Sequence, residues 1–265
     1  MSGAARAVHA EWTKLRTLPS ALWLLFALPA ITIAVGAAVT GAVDTSTCAS
    51  PAGCHEDTPK LALSGVRLAQ VAAVVLGVLA VGGEYATGTI NATLAAIPRR
   101  GTVLAAKAAV VAAAVAAAGA AGVLASLAAG RGFLAGNGFT PANGYAPLSL
   151  LDGPTARAAA GTVLYLMLVA LLALGVGTAI REQAAAITAV LALLWIVPII
   201  TQLVGDEQWR ERLDRVAPMT AGLAVQATRD LDRLPIGPWS GMGVLASYTA
   251  AALLAGGALL ARRDA

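Results

Sequence analysis

Residues 108–130 read "AAVVAAAVAAAGAAGVLASLAAG", a run with no charged side chain from end to end. A hydrocarbon core about 30 Å thick is crossed by roughly 20 apolar residues in a helix rising about 1.5 Å per residue, so this run has a membrane span's length. Composition points the same way: 58% of the chain is hydrophobic and 12% is charged, against a charged share of about 25% in soluble domains. Working outward, runs of this kind predict six spans, at about 21–43, 61–83, 102–130, 161–180, 184–204 and 241–261. Helix is the expected state, because lipid offers no water to unpaired backbone groups and none of the runs alternates as a barrel strand does. The first run is too long for a signal peptide and no small-residue cleavage site follows it, so it is expected to stay in the membrane. The Ala- and Gly-rich faces either let helices approach closely or reflect a compositional bias alone.

An even number of spans puts both termini on one side. With that side inward, the inner segments carry Arg6, Lys14, Arg16, Arg99, Arg100, Lys107, Arg181, Arg262 and Arg263, and the outer segments carry as many basic residues. Five of the outer ones lie in the 205–239 loop beside Asp206, Glu207, Glu211, Asp214, Asp230 and Asp232; without that loop the balance favours cytoplasmic termini. Both cysteines, Cys48 and Cys54, fall in the first outer loop, where a disulfide would add about 2 kcal/mol. A metal site of Cys48, Cys54, His55 and Glu56 is the less favoured reading of that loop, and no metal is expected.

Residues 83–107, "GEYATGTINATLAAIPRRGTVLAAK", interrupt the apolar pattern between the second and third spans. Gly88 breaks the second helix, Thr89 can cap a new one, Ile90, Leu94 and Ile97 fall on one face, and Pro98 closes it. A helix this short needs its apolar face held by membrane or by another protein's groove, with Arg99 and Arg100 free to meet phosphates or an acidic surface. Residues 1–20 are expected to form an amphipathic helix in the headgroup plane, with Val8, Trp12 and Leu15 on its apolar face. Arg67 shares a helix face with Gln70, and the pair either lines a pathway or Arg67 snorkels to the surface; Lys107 reads as an anchor at the inner end of its span. In the 205–239 loop, Trp209, Leu213 and Val216 form one amphipathic pattern and Leu223, Ala227, Leu231 and Leu234 a second, separated by Pro218.

"HAEWTKLRTLPS" at 9–20, the 83–107 stretch, "APMTAG" at 217–222 and "LLARRDA" at 259–265 resemble, in order along the chain, the permease subunits of ABC-2-type exporters, especially actinobacterial drug and antibiotic exporters. The resemblance implies an all-α membrane protein: a cytoplasmic interfacial helix at 1–20, then a six-span domain at 21–261 with a cytoplasmic coupling helix and short extracellular helices between spans five and six. It implies a multi-pass subunit of the plasma membrane that moves a hydrophobic or amphipathic drug, antibiotic, peptide or lipid outward. Its partners would be two copies of an ABC ATPase, a second permease copy or a related one, and the lipid bilayer, with no nucleic acid. Glu84, Tyr85, Gly88, Thr89, Ile90, Leu94, Ile97, Pro98, Arg99 and Arg100 become the ATPase-coupling residues. "APMTAG" departs from the commoner Pro-Ser-Asn pattern of that place.

No G-x-x-x-x-G-K-[ST] occurs, so ATP and Mg would sit on the partner ATPase, and the chain itself is expected to be neither an enzyme nor a cofactor carrier. The connection Arg181, Glu182 and Gln183 is too short for a coupling helix of its own. An ion-coupled carrier and a non-transporting sensor or assembly protein are the alternatives; the first lacks an acidic residue near any midplane.

Overall fold

The computed structural model of the chain describes residues 3–48, 50, 54, 56–96 and 99–262. Among these residues every regular element is helical. In chain order they are α1 (Gly3–Thr17), α2 (Pro19–Ala42), α3 (Thr58–Ala62), α4 (Val66–Ala86), α5 (Ile90–Ala96), α6 (Arg100–Gly136), α7 (Gly153–Ile180), α8 (Gln183–Leu203), α9 (Glu207–Val216), α10 (Pro218–Leu223) and α11 (Pro238–Arg262). Six of them, α2, α4, α6, α7, α8 and α11, are long and apolar enough to cross a membrane, which fits a multi-pass membrane protein.

Local chemistry starts these helices. Pro19 and Pro218 open α2 and α10 at positions where a missing N–H costs nothing. Asp152, Glu182 and Asp206 accept backbone N–H bonds at the starts of α7, α8 and α9. At 37 residues, or about 55 Å of rise, α6 is far longer than a hydrocarbon core is thick. The third span was expected to end near residue 130, but its helix runs on through Arg131 to Gly136.

The most deeply buried helices are α4 and α7, which pack on each other; α11 lies against α7, and α2 against α6. The outer faces of α2, α8 and α11 remain open and apolar, as lipid-facing helices are. Small residues set the α2–α6 contact. A Cβ on Gly122 would lie 2.9 Å from Pro29 Cα, and the Ser126 hydroxyl bonds Ala62 O at 2.6 Å and Thr32 O at 3.2 Å.

Two expected elements fold otherwise. The second span was placed at 61–83 as one helix, yet the chain breaks between α3 and α4, where Gly65 sits so tightly on the Thr32 backbone that no side chain fits. The pattern Leu223, Ala227, Leu231 and Leu234 does not make a continuous helix: α10 ends at Leu223 and short 3-10 turns follow at Ala224–Gln226 and Leu231–Arg233. The segment Pro218–Gln226 turns into the bundle instead. Gln226 Nε2 reaches Thr162 Oγ1 at 3.2 Å, and Leu223 and Val225 join the main core. In the other pattern Trp209 and Val216 are exposed, and α9 buries no residue.

Candidate functional site

The break after α4 starts from one backbone requirement. Thr87 N–H caps the helix on Gly83 O, and Gly88 then takes φ +68°, a left-handed conformation that a side chain disfavours. Residues 86–89 are exposed, and α5 begins at Ile90. The Thr89 side chain pairs with the Thr87 hydroxyl at 2.8 Å.

Four ionisable side chains meet beside this break. Lys107 Nζ donates to Glu84 Oε1 at 2.7 Å, to Glu11 Oε2 at 2.8 Å and to Ala80 O at 3.0 Å. Lys14 Nζ donates to Glu84 Oε1 at 2.6 Å, to Glu11 Oε1 at 2.8 Å and to Thr93 Oγ1 at 3.3 Å. Two carboxylates thus balance two ammonium groups across α1, α4 and α6, and Thr93 joins them from α5. Taking an ion out of water costs several kcal/mol, and only such pairing and bonding offsets it. The Lys107 side chain is 2% exposed and that of Lys14 40%, so Lys14 is the member with a path to water. Burial pulls the Lys14 ammonium toward its neutral form, but the hydrogen bonds and charges of Glu11 and Glu84 outweigh this and hold its pKa above the ordinary lysine value.

The reading of Lys107 as an anchor is therefore corrected: it points into the protein and is the centre of a salt-bridge network. Helix α1 packs on the bundle through its charged side. It buries Ala7 and Glu11 against the bundle, where Glu11 finds Lys107, packs Leu15 on the core, and leaves Val8 and Trp12 exposed.

The expected coupling residues divide by environment. Glu84 is buried, Ile90 is 4% exposed within its own chain, and Arg99 is exposed. Arg100 Nη1 donates to Leu260 O at 2.6 Å, closing the last turn of α11. Leu94 belongs to α5, while Ile97 and Pro98 lie outside the described residues. The Arg181 guanidinium stacks 5.1 Å from the centre of the Tyr85 ring, so the short second connection touches the first.

A cavity of about 530 Å3 opens beside the quartet, with Leu15, Leu18, Ala21, Leu76, Leu79, Val110 and Val111 as apolar wall and Glu11, Lys14, Glu84, Lys107, Thr87, Thr89 and Thr93 as polar floor. At the opposite end of the bundle Arg67 is exposed on a hollow of about 320 Å3 that also touches Asp57, Lys60, Ser64 and Gln226. Gln70 does not share that space. It is fully buried, taking the Tyr165 hydroxyl bond and donating to Met219 Sδ at 3.1 Å and to Arg67 O at 2.9 Å, so the two residues adjoin on α4 while only Arg67 is exposed.

Cys48 and Cys54 are joined by a disulfide with Cα atoms 5.5 Å apart, and Tyr145 donates to Cys54 O at 2.6 Å. Both sulfurs being in that bond, the thiolates of a Cys48, Cys54, His55 and Glu56 metal site are missing; His55 lies outside the described residues.

No family model matches the chain, and no curated protein matches it. The fold itself defines the class: among the described residues every regular element is helical and six helices are long and apolar enough to cross a membrane.

Proposed function

We propose that the chain is the membrane-spanning permease of an ATP-driven exporter, placed in the cell membrane with both termini in the cytoplasm. It works with a separate ATPase that carries ATP and Mg, and pairs with a second permease copy or a related permease. The cargo is hydrophobic or amphipathic. The observation that carries this reading is the segment that starts at Glu84: an exposed turn and a short helix, with Glu84 ion-paired to α1 and α6 and Thr93 hydrogen-bonded to Lys14. Force applied to α5 passes to α1 through Lys14 and Thr93, and to α4 and α6 through Glu84 and Lys107. Rigid groups joined in this way move together when a partner pushes one of them. Arg100 adds a link to the end of α11.

Ile90 faces its own protein, so a docking partner would use the outer surface of α5, where Ala92 and Ala95 are exposed. The test is Ala92→Glu with Ala95→Glu, measured for copurification of the ATPase and for transport per ATP hydrolysed. The proposal expects normal membrane insertion, with binding or coupling reduced about tenfold or more, as for a charge buried unpaired at an interface. Full coupling in this variant would remove α5 as the docking element.

A further inference from the structure

The cavity beside the ion quartet is in the size range of about 300–1,000 Å3 typical of small-molecule sites, and its wall is apolar apart from one floor. Hydrogen-bond accounting on that floor is lopsided. An ammonium group has three donors. Lys14 spends three on Glu11, Glu84 and Thr93, and Lys107 spends three on Glu11, Glu84 and Ala80. On the acceptor side, Glu84 Oε2 is buried with no hydrogen-bond partner among the described residues. Neither ammonium thus has an N–H to spare, and one carboxylate oxygen, sealed off while Lys14 holds its place, lacks a donor. A guest must bring the donor.

Charge narrows the guest further. The quartet is balanced as it stands, so a cation entering the cavity leaves one positive charge uncompensated unless a lysine departs. Lys107 is enclosed, whereas the Lys14 side chain lies at the edge and can turn into water. We infer that this cavity binds an amphiphile with a protonated amine head, whose ammonium takes the place of Lys14 on Glu84 while its hydrocarbon body lies along Leu76, Leu79 and Val111. Occupancy then releases α1 from Glu84 and Thr93. The inference rests on membrane insertion and not on an ATPase partner, so its failure leaves the coupling proposal standing.

The experiment uses the full chain carrying Leu79→Cys in nanodiscs of choline-headed lipid. The native cysteines are in their disulfide and give no thiol background. The readout is the rate at which a maleimide labels the introduced thiol. Dodecylammonium is expected to slow labelling, dodecyl sulfate to leave it unchanged, and dodecyltrimethylammonium, which has charge but no N–H, to need about tenfold more ligand. Lys14→Ala removes the competitor and is expected to raise apparent affinity about tenfold, and Val111→Trp to abolish protection by filling the space. Lys14→Ala alters a half-exposed residue, so its result stands even if the larger tryptophan prevents folding. Protection by ethanolamine-headed lipid alone identifies the leaflet as the source of the amine; protection only by added dodecylammonium identifies a soluble amphiphile. Equal protection by the sulfate, or a weaker affinity in Lys14→Ala, overturns the proposal.

Discussion

Lys107 Nζ sits 2.7 Å from Glu84 Oε1, bridging α6 and α4 across the segment that holds α5. The two residues stand on antiparallel neighbours, Glu84 two residues before the end of α4 and Lys107 about 10 Å into α6. Removing one partner leaves a buried charge without its counterion. Lys107→Met is expected to cost about 3–5 kcal/mol of stability, and adding Glu84→Gln to recover about 1–3 kcal/mol of that loss. Thermal unfolding of the single and double variants in detergent checks both values; a Lys107→Met protein as stable as the native one contradicts the network.

The pairing was not read from the sequence, where Lys107 passed as an anchor at the inner end of its span, although an ionisable residue inside a span calls for a partner and Glu84 ends the neighbouring span. Glu11 was not legible, because amphipathicity marks only the apolar stripe of Val8, Trp12 and Leu15; of these Leu15 alone packs on the core, beside Ala7 and Glu11. Spans were readable since length and apolarity decide them alone. The break at Gly65 and the inward turn of Pro218–Gln226 depend on contacts with Thr32 and Thr162, far away in sequence, and no local signal marks those.

The α7–α11 contact depends on a missing side chain. A Cβ at Gly175 would lie 2.6 Å from the Ala252 carbonyl carbon and from Leu253 N, both backbone atoms that cannot step aside singly. Gly175→Val is expected to destabilise the protein by about 1–3 kcal/mol or more through overpacking. Gly101→Ala, with open space at its Cβ, is expected to change stability by no more than about 0.5 kcal/mol. Detergent melting curves of the two variants provide the comparison.

Docking of α1 carries a pH signature. A lysine whose folded pKa exceeds its unfolded value of 10.5 contributes stability that is complete below 10.5 and vanishes as pH rises through the folded value. Lys14 is such a group, so α1 is expected to stay docked through neutral pH and to loosen only above 10.5. A spin label at Trp12→Cys reports this as a rise in mobility in strong alkali; Lys14→Met is expected to show the mobile spectrum already at neutral pH. Loosening of the native protein between pH 6 and 9 contradicts the assignment.

The proposed export function turns on whether the Glu84–Arg100 segment meets an ATPase at the inner face of the membrane. The most direct measurement places a photo-crosslinker at Ala92→Cys in intact cells and identifies what it captures, with and without depletion of ATP. An ABC ATPase captured from the cytoplasmic side, in a yield that changes with nucleotide, is the predicted result. Labelling of that introduced thiol by a membrane-impermeant reagent added outside the cells contradicts the account.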